Sequence, residues 1–146
     1  MDGTTDIHAF SVLFGDKQYF TVKTSGSFSS RIWFKTPIMH QGTFCRNELF
    51  NSVGKFDETI KIAMDYDFFL RAYYANATLV CNKSPLTFMR DTGISSKKDW
   101  DSLKKRFAEE KKIHFKNAKS RGMMLVYKIY WLLYPMYRYI RHRLRN

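Results

Sequence analysis

Ala63-Met64-Asp65-Tyr66-Asp67-Phe68-Phe69-Leu70-Arg71 sets two carboxylates and a guanidinium into a stretch that is otherwise apolar and aromatic. In a helix, Asp67 and Arg71 stand at i,i+4 on one face and can pair, while Asp65 lies about 160° from Asp67 around the axis. Asp65 is then left without a local partner. A carboxylate in an apolar setting is costly unless it is hydrogen-bonded, paired or at work, so type and spacing nominate Asp65 for proton transfer. The plainer alternative is a surface helix whose first turn carries acids to complement its dipole. For His40, followed by Gln41 and Gly42, the plain reading is a satisfied histidine at a strand end.

The elements that must position these groups are legible in outline. Residues 7–14 run apolar and end at Gly15-Asp16, and 18–23 alternate, which predicts a β-hairpin. Thr24 to Ser30 reads as a loop, Arg31 to Phe34 as an ordered piece broken at Thr36-Pro37, and Ile38 to Arg46 as a short strand interrupted by Gly42. Asn47 is the expected N-cap of a helix through Val53, stopped by Gly54. After a turn at Lys55 to Glu58, in which Asp57 accepts from nearby backbone amides, the helix bearing Asp65 is expected over 63–75. Strands follow at 77–81 and, beyond Pro85, at 86–90. A loop at 92–96 leads to a long helix from Trp100 to about Asn117, capped by Asp99 or Ser96. Trp100, Leu103, Phe107, Ile113 and Phe115 supply its less polar positions.

The chain has 146 residues, and at 45% hydrophobic and 17% aromatic it has the means to bury a core and is not a disordered composition. Cys45 and Cys81 lack the spacing of a disulfide framework or a zinc site, so a reducing compartment is expected. The first residues lack a basic and then apolar leader, so no secretion signal is read. The net charge of +12 is uneven: residues 1–100 carry 12 Lys/Arg against 10 Asp/Glu, and residues 101–146 carry 13 against 3. The excess thus lies in an apolar, aromatic tail rather than on a folded basic face with aromatic platforms, which argues against a nucleic-acid-binding module. Between Lys128 and Arg138 the uncharged run is short and contains Pro135, too little for a membrane span. The tail suits the plane of an anionic membrane surface, with tyrosines and Trp131 at headgroup level and Arg138, Arg141, Arg143 and Arg145 toward lipid. The alternative is an amphipathic helix that closes a core or docks on a partner.

His40-Gln41-Gly42-Thr43-Phe44, then Gly54-Lys55-Phe56-Asp57-Glu58, then Met64-Asp65-Tyr66-Asp67-Phe68-Phe69-Leu70-Arg71, with the later Gly93-Ile94-Ser95-Ser96, form an ordered set. In that order and spacing the set resembles the C-terminal half of a family 2 glycosyltransferase of GT-A type, closest to the bacterial enzymes of cell-surface polysaccharide synthesis. The resemblance covers about residues 30 to 110. It implies an α/β fold: a partial GT-A-like mixed sheet with flanking helices and a C-terminal helical tail. Residues 1–100 would be the acceptor-side part of the domain and 101–146 basic, membrane-associating helices.

The same resemblance implies roles. Asp65 falls where the family carries the second acid of its Glu-Asp motif, the general base of an inverting sugar transfer from a nucleotide sugar to a polysaccharide or lipid-linked acceptor; Met64 stands in place of the usual Glu. His40 and Gln41 match a segment lining the donor-sugar side of the cleft, and Asp67 and Arg71 match the remainder of the motif, as pairing and site-shaping residues. No Asp-x-Asp precedes His40 and no βαβ pattern opens the chain. The nucleotide-binding half, with its divalent Mg or Mn, is therefore expected from a complementary N-terminal half, and no cofactor is expected in this chain. The implied place is the inner face of the cell membrane. The alternative function is a non-catalytic remnant or docking subunit.

Overall fold

The computed structural model describes residues 5–16, 18–93 and 99–144. Among them the fold is mixed α/β, and it divides into two compact units. One holds the described residues up to Thr59 together with Met64–Gly93; the other holds Ile60–Ala63 and the described residues from Asp99 on.

The first unit is built on strand β1, Ile7–Gly15. Its C-terminal half pairs antiparallel with β2, Phe20–Lys23, and its N-terminal half pairs antiparallel with β3, Thr43–Cys45, on the same edge. The hairpin turn is held by Asp16, whose Oδ1 accepts from the amides of Gln18 and Tyr19 at 2.8 and 2.7 Å. Strand β4, Leu79–Arg90, runs parallel along the other edge of β1. Asp6 and Thr78 set that register: the Asp6 carboxylate accepts from the Thr78 amide and hydroxyl, both at 2.8 Å. These bonds hold its carboxyl below the usual range.

Two separate strands are expected around Pro85, but one continuous strand is found. Phe10 pairs with Asn82 and Ser11 with Pro85, so the extra residues form an irregularity in the ladder. Lys83 and Ser84 have no partner in the β1 ladder, and Pro85, which cannot donate, is accommodated at this irregularity.

Helix α1, Asn47–Val53, begins one residue earlier than expected: Arg46 is the extended N-cap residue, its carbonyl accepting from Leu49 N, and Asn47 is already helical. Gly54 ends it with φ +81°, a conformation that favours glycine. Helix α2, Met64–Tyr74, buries Tyr66 through Leu70 without a break, and Ala72 as well. A run buried at five consecutive positions belongs to a helix enclosed on most sides rather than a surface helix. Phe68 stacks on Phe50 of α1 at 4.8 Å between ring centres and lies 4.9 Å from Phe56. Ile7, Ala9 and Val12 of β1, Leu49 of α1, and Ile32 and Ile38 are buried in the same unit.

The second unit is a helical hairpin of α3, Trp100–Asn117, and α4, Arg121–Arg143. Asp99 caps α3 by accepting from Ser102 N at 2.9 Å, and Ser120 caps α4 by accepting from Met123 N at 3.1 Å. The inward stripe of α3 is Leu103, Phe107, Ile113, His114 and Asn117, so the buried neighbour of Ile113 is His114 rather than Phe115. Pro135 does not interrupt α4. Aromatic contacts on both sides of it hold the helix to α3: Trp131 and Tyr134 against Phe107, and Tyr139 and His142 against Trp100. Packing offsets the roughly 3 kcal/mol that a mid-helix proline costs. No helix among the described residues is long and apolar enough to cross a membrane.

Candidate functional site

The His40 end of the site is made by a 3-10 turn, His40–Gly42, where a strand is expected. Three bonds dictate the turn. Met39 N donates to the buried hydroxyl of Ser25 at 2.9 Å, and the Met39 carbonyl then accepts from Gly42 N at 3.0 Å and from Thr43 Oγ1 at 2.9 Å. Gly42 is required by close approach: a Cβ there would lie 2.9 Å from the Phe10 carbonyl oxygen of β1. The turn is thereby seated against the central strand, with His40 exposed and Gln41 partly buried beside it.

The Asp65 end is the first turn of α2, where the helix N-terminus favours a carboxylate. Asp65 Oδ1 accepts from Tyr66 N at 2.8 Å, and Oδ2 lies 2.8 Å from His40 Nδ1. The Asp65 side chain is 20% exposed and that of His40 49%. A carboxylate oxygen only accepts, so Nδ1 carries the hydrogen and Nε2 is left as the imidazole's acceptor in the neutral form. Asp65 and His40 are thus brought together at a surface open to water.

Asp67 and Arg71 occupy the opposite situation. Asp67 is fully buried and accepts from Arg71 Nε at 2.9 Å, the pair expected from their spacing. The guanidinium goes on to donate to the carbonyls of Val53, of Gly54 at 3.1 Å and of Lys55 at 2.8 Å. It thereby satisfies the open C-terminal end of α1 and fixes the Gly54-Lys55-Phe56 segment. Asp57 closes the next turn by accepting from Thr59 N at 3.0 Å. In this structure the Gly-x-Phe-Asp-Glu segment is held by backbone and ring contacts; Ile94, Ser95 and Ser96 of the last motif lie outside the described residues, as does Arg145.

The donor set does not fit a divalent metal. Among the described residues no three His, Cys, Asp or Glu side chains are grouped to hold one. Asp65-Tyr66-Asp67, formally an Asp-x-Asp, turns its first carboxylate to His40 and its second into the interior toward Arg71. Cys45 and Cys81 are free thiols, and burial pushes that of Cys45 up to about 11, the opposite of an activated nucleophile.

Two polar groups, one part-buried and one fully buried, escape a reading of motifs. Glu109 of α3 accepts from three successive amides, Lys61 N at 3.0 Å, Ile62 N at 2.7 Å and Ala63 N at 3.0 Å. His114, fully buried, accepts from Trp131 Nε1 at 2.9 Å and stacks on Tyr127 at 4.4 Å between ring centres. The 4-3-4-3 spacing of Leu103, Phe107, Glu110, His114 and Asn117 marks the stripe to which His114 belongs; no comparable signal marks Glu109.

No family model, no curated protein and no solved structure matches this chain.

Proposed function

We propose that this chain supplies the acceptor side of a family 2, GT-A-type glycosyltransferase, transferring a sugar with inversion from a nucleotide-sugar donor to a polysaccharide or lipid-linked acceptor. The observation that carries the reading is the contact between Asp65 and His40, which lie on two of the four motif segments. In the proposed step an acceptor hydroxyl oxygen attacks the anomeric carbon, the bond from that carbon to the diphosphate oxygen breaks, and the hydroxyl proton passes to Asp65. A positioned base of this kind contributes about 10²–10⁴-fold to rate. His40 holds the Asp65 carboxylate in one orientation, and Gln41 lies beside it. Asp67 and Arg71 shape the site from within by fixing the end of α1 relative to α2. The mixed sheet accords with a partial GT-A-like arrangement. Among the described residues no group of side chains fits a divalent metal, so the nucleotide-binding half, with its Mg or Mn, is a partner in the proposal. Peripheral attachment at the inner face of the cell membrane belongs to the same reading.

The test is transfer by the chain joined with the half that binds the nucleotide. Asp65→Asn is expected to abolish it while the fold persists; undiminished transfer would remove the base assignment.

A second reading, a non-catalytic remnant or docking subunit, is favoured by the long exposed apolar face of α4. Under it, adding a nucleotide-binding half restores no transfer and no sugar-nucleotide binding.

A further inference from the structure

α4 buries Tyr127 and Trp131 against α3 and leaves its other side open. Leu125, Ile129, Leu132, Leu133, Met136 and Ile140 form one stripe along that side, with Leu132 70% and Met136 61% exposed. At 1.5 Å per residue the helix is about 34 Å long, so the stripe runs over most of its length. Apolar faces of this extent mark an interaction surface. The charges of α4 are all of one sign, since the helix contains no Asp or Glu: Arg121 and Lys128 follow one border of the stripe and Arg143 lies within it, whereas Arg138 packs over the Phe107 ring on the covered side.

We propose that this face is an in-plane docking surface for an anionic lipid bilayer. The six apolar side chains enter the headgroup and acyl boundary, and the basic side chains meet lipid phosphates. Charge decides the occupant. A second copy of the helix would set the cations of one stripe, Arg121, Lys128 and Arg143, near those of the other, whereas an anionic surface is complementary to all three. The helix lies along the surface rather than across it, since no helix among the described residues is long and apolar enough to cross. The proposal names the face of α4 that the membrane-associated reading leaves open, and it stands without the transferase reading.

Co-sedimentation of the full chain with vesicles tests it, with phosphatidylcholine alone and with phosphatidylglycerol added. Binding is expected only to the anionic vesicles and to weaken with salt. The double substitution Leu132→Glu and Met136→Glu, at exposed positions, is expected to reduce partitioning by at least about tenfold, with the helical circular dichroism unchanged. Undiminished binding by that variant, or wild-type binding to neither vesicle, overturns the proposal. A concentration-dependent dimer that the same variant dissolves, with no vesicle binding, overturns it in favour of a second copy. Vesicle binding is read without sugar transfer, so failure here and failure of the transferase reading are separate results.

Discussion

His40 Nδ1 lies 2.8 Å from Asp65 Oδ2, joining a 3-10 turn seated on β1 to the first turn of α2. This contact makes the Nδ1–H tautomer the one that serves Asp65. Long-range proton–nitrogen spectra of neutral His40 are expected to show that tautomer in the wild type. In Asp65→Ala, which removes the acceptor, the population is expected to move toward the Nε2–H form favoured in free imidazole. An unchanged tautomer would place the contact outside the solution structure.

Asp67 and Arg71 form an ion pair around a fully buried carboxylate. Arg71→Ala removes the guanidinium from the Asp67 carboxylate and from the carbonyls of Val53, Gly54 and Lys55, and is expected to cost about 3 kcal/mol in urea unfolding. Asp67→Ala in the same background is expected to restore part of that loss, because the two sites share one network. Simple additivity would contradict the pairing.

Gly42 has no room for a methyl group against the Phe10 carbonyl and the Val12 side chain, which a Cβ would approach to 2.9 and 3.1 Å. Gly42→Ala is expected to destabilise by about 1–3 kcal/mol and to displace His40 from Asp65, seen as a changed His40 side-chain resonance. Asn51→Ala, at an exposed position of α1, serves as the control and is expected to be near neutral.

His114 carries a pH dependence of the opposite sense to that of a salt-bridged histidine. Burial pushes its imidazole down to about 4 from an ordinary 6.5, and Trp131 donates to its Nδ1, which must be unprotonated. The unfolded chain therefore binds the additional proton between those values. Stability from this group is fully present above about pH 6.5, declines as pH falls and is lost by about pH 4, roughly 3 kcal/mol in all. Thermal unfolding across that window is expected to show the decline, and His114→Phe to flatten it. A slope unchanged by the substitution would assign it to other groups.

Much of the first unit can be read from local pattern. The hairpin over residues 7–23 follows from alternation about a Gly-Asp turn, and the span of α2 is foreseen to within a residue at each end. The pairing of Asp67 with Arg71 follows from one turn of helix, and the capping of α3 by Asp99 from its own N-terminus. The errors fall where a distant partner decides. The strand expected at Ile38 becomes a turn because Ser25 takes the Met39 amide and Gly42 meets β1. The break expected at Pro85 disappears because β1 pairs on both sides of it, and the break at Pro135 because α3 holds both sides of the helix.

By itself the sequence determined that Asp65 and Asp67 differ, since helical periodicity sends side chains two residues apart to different faces. It also determined the concentration of positive charge in the C-terminal segment, and the apolar content from which α4 draws its exposed stripe. Only the tertiary structure decided that the partner Asp65 lacks locally is His40, that Asp67 is closed off from solvent, and that α4 turns Tyr127 and Trp131 inward while leaving Leu132 and Met136 outside. The reason is one of range. Periodicity and capping act within a few residues along the chain, whereas a hydrogen bond between distant turns, or the choice of which apolar face is covered, depends on how whole elements pack.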